Sequence, residues 1–258
     1  MTPPVIISGM HRSATSLLAS MFHRAGLHLG DRLLEPSPSN RPGYFEDREF
    51  IAFHDSLLGH LGTSMYRESP PRGEPGPEHR QRAAALIEAR HHREAWGWKD
   101  PRTCLFLDFW RSIVPEARYV FVVRRPAEVM DSLRRRGDAE MHLQYPGAAT
   151  LARIGVPRFR IRRAADLWLR YNERIAAFAE RHRERCHVIR AADVATAGPR
   201  VIEELRREGV PMHGDVDAET VIRTDLLVHR ATPAIERYCR RSRAVNDLLR
   251  RLEALAGD

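Results

Sequence analysis

Residues 5–18, VIISGMHRSATSLL, set an apolar run ahead of a cluster of polar residues and then return to apolar ones. A strand, a tight loop and a helix in that order bring backbone N–H groups and a helix N-terminus to one spot, which attracts an anion. The loop residues add side-chain chemistry: the His11 imidazole, the Arg12 guanidinium and the hydroxyls of Ser13, Thr15 and Ser16. Set against the phosphate-loop pattern G-x-x-x-x-G-K-[ST] from Gly9, the sixth position is Ala14 and the seventh Thr15. No lysine stands where β- and γ-phosphates would be reached, which disfavours ATP hydrolysis and kinase chemistry.

A second stretch, VFVVRRPAEVMDSL, ends a strand at Arg124 and carries Ser132 eight residues later in the following helix. An arginine fork with a hydroxyl suits a phosphate, and ligands of open α/β sheets bind at the carboxyl ends of strands. Two anion sites at strand ends would be spanned by a nucleoside carrying phosphates at both ends.

Among 42 basic residues the chain has one lysine, Lys99, in WGWKDPRT. A chain that uses arginine almost everywhere keeps lysine where a compact ammonium is needed and a planar guanidinium will not serve, or else by chance on its surface. The position between tryptophans and Asp-Pro favours the first account.

The elements that would position these groups follow from pattern. VIISG and RYVFVVR (118–124) read as buried strands, WGWKD as a short strand or strand end, and CHVIRAADV as a further strand. Helices are expected from Thr15 or Ser16 to Gly26, over FEDREFIAFHDSLLGHL, over EHRQRAAALIEARHHREA, over TCLFLDFWRSIV up to Pro115, from Pro126, over 158–184, and at about 199–208, 217–223 and 232–256. Residues 30–44, 66–80 and 137–157 read as loops, the last two as lids. Alternating strands and helices imply an α/β fold, a parallel central sheet flanked by helices in one domain over 1–258.

Bulk properties narrow the partners. A formal net charge of +8 favours an anionic ligand, and arginines spread along helices favour a solvated surface over a nucleic-acid patch. No apolar run is long enough to cross a membrane, and MTPPVIISG lacks a basic leader region. Three scattered cysteines argue against a disulfide framework and for a cytoplasmic setting. His54, His60, His79, His91 and His92 lack metal-ligand spacing and read as surface histidines, so no metal is expected.

The pairing of R-S-x-T-[ST] after the first strand with R-x₇-S after a later one resembles the sulfotransferases that use PAPS, in segments 5–20 and 96–135 and less closely in 40–60. The resemblance implies a P-loop-like sulfotransferase fold and a PAPS co-substrate that leaves as PAP. Arg12, Ser13, Thr15 and Ser16 match the 5′-phosphosulfate loop, whose donor-binding stretch here also includes His11 and Ala14; Arg124 and Ser132 match the 3′-phosphate site. Lys99 matches the lysine of tyrosylprotein sulfotransferases that stabilises the reacting sulfonate. A glutamate after the first helix is the general base in related enzymes, which makes Glu46 the first candidate, ahead of Glu35, Asp100 and His11. A glutamate at a helix start could equally be there for the helix dipole. Tyr44 and Phe45 could line an acceptor pocket or anchor their loop, and Arg240, Arg241 and Arg243 could reach the nucleotide or face solvent.

The acceptor would be a hydroxyl or amine of a small molecule or carbohydrate, and a homodimer is compatible with the sequence. At Ala14 the family has glycine. If the residue needs φ > 0, alanine costs on the order of 1 kcal/mol, which keeps open a nucleotide-binding protein with weakened activity. The other alternative is a P-loop nucleotide kinase.

Overall fold

The computed structural model describes residues 2–36, 43–67, 73–144, 161–215 and 231–257, with 136–144 as backbone alone. Strands β1 (Val5–Ser8), β2 (Gly97–Lys99), β3 (Arg118–Val123) and β4 (Cys186–Arg190) form a parallel sheet in the order β2-β1-β3-β4. Side chains alternate between its faces, as a period of two requires. Val5, Ile7, Val120 and Val122 pack on one side with Leu18, Phe22, Val201 and Leu205. Ile6, Tyr119 and Phe121 pack on the other with Phe50, Trp110, Trp168 and Leu248. Both faces are covered, so the strands are nearly continuous apolar runs.

Helices α1 (Thr15–Arg24) and α7 (Val194–Arg207) cover the first face. The second lies under α2 (Arg48–His60), α4 (Leu107–Ile113), α5 (Pro126–Gln144), α6 (Ile161–Arg181), α8 (Pro233–Arg241) and α9 (Arg243–Ala256). Helix α3 (Pro77–Glu88) packs outside α2. The register sets Ile7 beside both Lys99 and Val120, so β1, β2 and β3 end together at one rim. Gly97 makes the β1–β2 approach possible, since a Cβ there would lie 1.8 Å from the Val5 carbonyl oxygen.

The structure corrects several boundaries. α3 starts at Pro77, inside the expected 66–80 loop, and stops at Glu88 rather than running to 95. Pro at the first helical position explains the start. The TCLF segment is a 3₁₀ turn, Pro101–Leu105, before α4. α5 runs to Gln144, so the first part of the expected 137–157 loop is helical. The C-terminal helix is two, broken at Ser242, whose side chain caps α9 by accepting from Val245 N–H. The helix expected at 217–223 and residues 145–157 lie outside the described residues, as do 68–72 of the first lid.

Candidate functional site

The loop between β1 and α1 is held by close contacts and unusual backbone. A Cβ on Gly9 would meet the Val122 carbonyl oxygen at 2.4 Å, so only glycine lets the chain leave β1 beside β3. Arg12 (φ 71°) and Ala14 (φ 67°) both adopt left-handed conformations. That costs a non-glycine residue about 1–2 kcal/mol, and such strain collects at functional sites. Ala14 is also the N-cap of α1, so no side chain caps the helix and no acidic residue sits in its first turn. Thr15 opens the helix rather than capping it. The first-turn N–H groups and the positive end of the dipole are therefore directed at the loop, which suits an anion.

The second motif folds onto the first. Arg12 Nε donates to Ser132 Oγ at 2.9 Å, and an Arg124 terminal nitrogen donates to the Arg12 carbonyl at 2.9 Å. Arg124 Nε also pairs with Glu128 at 2.9 Å. The Arg124 carbonyl accepts from Trp168 Nε1 at 3.1 Å, which fixes the end of β3 against α6.

Lys99, at the end of β2, brings an ammonium to the edge of the loop. Its side chain is 2 % exposed. Its Nζ donates to Ser16 Oγ at 3.2 Å, to the Tyr44 carbonyl at 3.1 Å and to Glu46 Oε1 at 2.6 Å. Arg102 stands 3.6 Å from the other Glu46 oxygen. Glu46 is thus an ion-paired group at the site, and Asp47, not Glu46, caps α2 by accepting from Glu49 N–H. Arg90 anchors Asp47 at 2.7 Å. Tyr44 brings its carbonyl to the lysine, and Phe45 packs against His23.

Among the other candidates, Glu35 is exposed. His11 is buried edge-on between Tyr66 and Tyr171, at 5.1 and 5.5 Å between ring centres. Ser13 is buried in the loop. Arg240, Arg241 and Arg243 are exposed.

Asp100 is fully buried, with His54 Nδ1 3.0 Å from Oδ2 and Oδ1 accepting from the Arg102 backbone N–H at 2.8 Å. Trp110 Nε1 donates to His54 Nε2 at 2.9 Å. An indole N–H can only donate, so His54 carries its proton on Nδ1 and gives that hydrogen bond to Asp100. Burial opposes the charge on Asp100, but His54 and Arg102 outweigh it and hold the carboxyl well below the usual range.

Sequence reasoning missed this buried chain. His54 and His79 are not surface residues, at 0 % and 4 % exposure. The signal for His54 was its place between Phe50, Phe53 and Leu57 on the apolar stripe of α2, the face that stacks Phe50 on Trp98 at 4.5 Å. Behind the loop, Ser8 Oγ donates to the Asp100 carbonyl at 2.7 Å and lies 3.0 Å from Cys104 Sγ.

A phosphate loop with an uncapped helix, joined to an Arg/Ser pair at the next strand end, can hold an anionic donor, and one lysine can stabilise charge between them. A search of curated proteins returns no match. Among solved structures, a sulfotransferase from Alicyclobacillus acidocaldarius superposes with a TM-score of 0.56 at 15% identity, covering 100% of this chain and 96% of that one. A sulfotransferase from Mycobacterium tuberculosis H37Rv gives 0.48 at 15% identity, covering 98% and 76%. The model of the sulfotransferase family matches residues 3–207. The chain belongs to the sulfotransferase family, enzymes that pass a sulfonate group from a donor to an acceptor.

Proposed function

We propose that the chain transfers a sulfuryl group from PAPS to a hydroxyl or amine of a small-molecule or carbohydrate acceptor. The observation that carries this reading is Lys99, whose Nζ lies 3.2 Å from the loop hydroxyl of Ser16 and 2.6 Å from Glu46. One ammonium thus stands between an anion loop and a carboxylate able to take a proton.

Arg12 and the first-turn N–H groups of α1 bind the phosphosulfate end, and Arg124 with Ser132 binds the 3′-phosphate. Glu46 accepts the proton of the acceptor as its oxygen bonds to sulfur and the bond from sulfur to the phosphate oxygen breaks. Lys99 and Arg12 stabilise the negative charge left on that phosphate. Positioning and charge stabilisation carry most of the catalysis in such loose transfers. Lys99 holds Glu46 in an ion pair at 2.6 Å. A shift of Lys99 toward the donor oxygens frees the carboxylate when it is needed. Asp100 has both oxygens engaged and a depressed pKa, so it orients the Lys-Asp-Pro turn rather than taking the proton.

The kinase reading loses further ground at the end of β3. Arg124 stands there, and a guanidinium repels the magnesium ion that a carboxylate at this strand end would hold. Calorimetric titration with PAP, beside ATP with Mg²⁺, tests the assignment. Micromolar PAP binding that is lost in Arg124→Ala, with weak ATP binding, is expected. Tighter binding of Mg-ATP than of PAP would overturn it.

A further inference from the structure

The C-terminal end of α2 and the start of α3 bring together His60, Glu78 and His79. One ligand atom from each lies within 4.8 Å of the others. The two imidazole rings are 4.7 Å apart between centres, and His79 Nδ1 is 3.7 Å from Glu78 Oε1. His79 is 4 % exposed, yet its Nδ1 takes no hydrogen bond among the described residues. A buried imidazole nitrogen left without a partner costs free energy unless something else occupies it.

We propose that His60, Glu78 and His79 form a divalent-metal site of the zinc class, which clips the end of α2 to the start of α3. Two imidazoles and a carboxylate are a borderline nitrogen and oxygen set that suits Zn²⁺, with the fourth position left to water. Zinc bonds of about 2.0–2.1 Å need donor atoms somewhat closer than they stand here. The cluster is built to close that gap. His79 is fixed by burial, while His60 and Glu78 are exposed and can swing toward it. Helix α2 spans 13 residues, so the site lies about 18 Å along the helix from the end next to Glu46. It is separate from the donor site.

The experiment uses untagged full-length protein stripped with a chelator. It is titrated with Zn²⁺ by calorimetry and with Co²⁺ by visible absorption, and melted with and without Zn²⁺. One equivalent should bind, give a tetrahedral cobalt band and raise the melting temperature. His60→Ala, an exposed change that leaves the fold intact, should weaken binding at least ~10-fold, the least that loss of even an outer partner produces. Glu78→Gln should weaken it as well, and a His91→Ala/His92→Ala double variant should not. Absence of saturable binding to the wild type, or full affinity in His60→Ala, overturns the proposal.

Discussion

Arg12 Nε donates to Ser132 Oγ across 2.9 Å, joining two residues 120 positions apart in the chain. The phosphate loop and the helix after β3 are therefore one surface before any donor arrives. In Ser132→Ala the guanidinium loses this partner. PAP affinity should fall about 10-fold or more, in keeping with the ~1.5–3 kcal/mol of a charge-assisted hydrogen bond. Calorimetry checks this, with a thermal melt to show that the variant is folded.

Lys99 is the group whose replacement should cost most in rate. Lys99→Ala removes the ammonium between Ser16 and Glu46, and turnover should drop ~10²–10³-fold, as when a donor to developing charge is lost. Lys99→Arg should recover little, because a planar fork cannot serve three acceptors packed around one point. Steady-state kinetics should show the loss mainly in kcat. A near-normal kcat in Lys99→Arg would remove the case for a compact ammonium.

Ala14 sits at φ 67° at the N-cap of α1. Glycine tolerates that backbone freely, so Ala14→Gly should stabilise the protein by up to about 1 kcal/mol, part of the gain being offset by the greater freedom of glycine in the unfolded chain. PAP binding should hold or improve. A lower melting temperature would show that the Ala14 methyl contributes packing worth more than the strain.

The Trp110–His54–Asp100 chain gives a pH signature. The folded pKa of Asp100 lies below its unfolded value, so its contribution is present above that value, about pH 3.9, and is lost as pH falls toward the folded one. Asp100→Asn also breaks the ion pair with Arg102 at 3.1 Å, and should destabilise by roughly 3–5 kcal/mol near neutrality, as removing one partner of a buried charged pair does. The gap to wild type should narrow below pH 4 in denaturant titrations. A gap that stays constant from pH 6 to pH 3, both values bracketing about pH 3.9, would mean that the carboxylate is not held by its partners.

The three thiols should be inert in the native protein. Burial pushes Cys104 and Cys186 up to about 12 and Cys239 up to about 11, and thiolate is the reactive form. Alkylation at mildly alkaline pH should leave PAP binding unchanged and proceed only on unfolding, as followed by mass spectrometry. Rapid native labelling of Cys104 would show that the interior behind the loop opens.

The sequence by itself determined the parts whose information is local. Apolar runs such as VIIS and RYVFVV are strands because they must be buried on both faces. Gly9, Arg12, Ser13, Thr15 and Ser16 announce an anion loop because backbone N–H groups and hydroxyls are gathered within one turn of chain. The R-x₇-S spacing and the lone lysine were equally visible.

Tertiary structure alone decided what depends on where separate elements meet. The register of β2 against β1 carries Lys99 to Ser16, so an ammonium reaches the loop from another strand. No local pattern says that Glu46 would face that ammonium while Asp47 takes the helix cap. Nor does spacing show that His54 would be locked between Trp110 and Asp100, since those partners lie 56 and 46 residues away. Side-chain chemistry is encoded one residue at a time, whereas ion pairs and buried hydrogen bonds form only where packing of the whole sheet brings their two halves within reach.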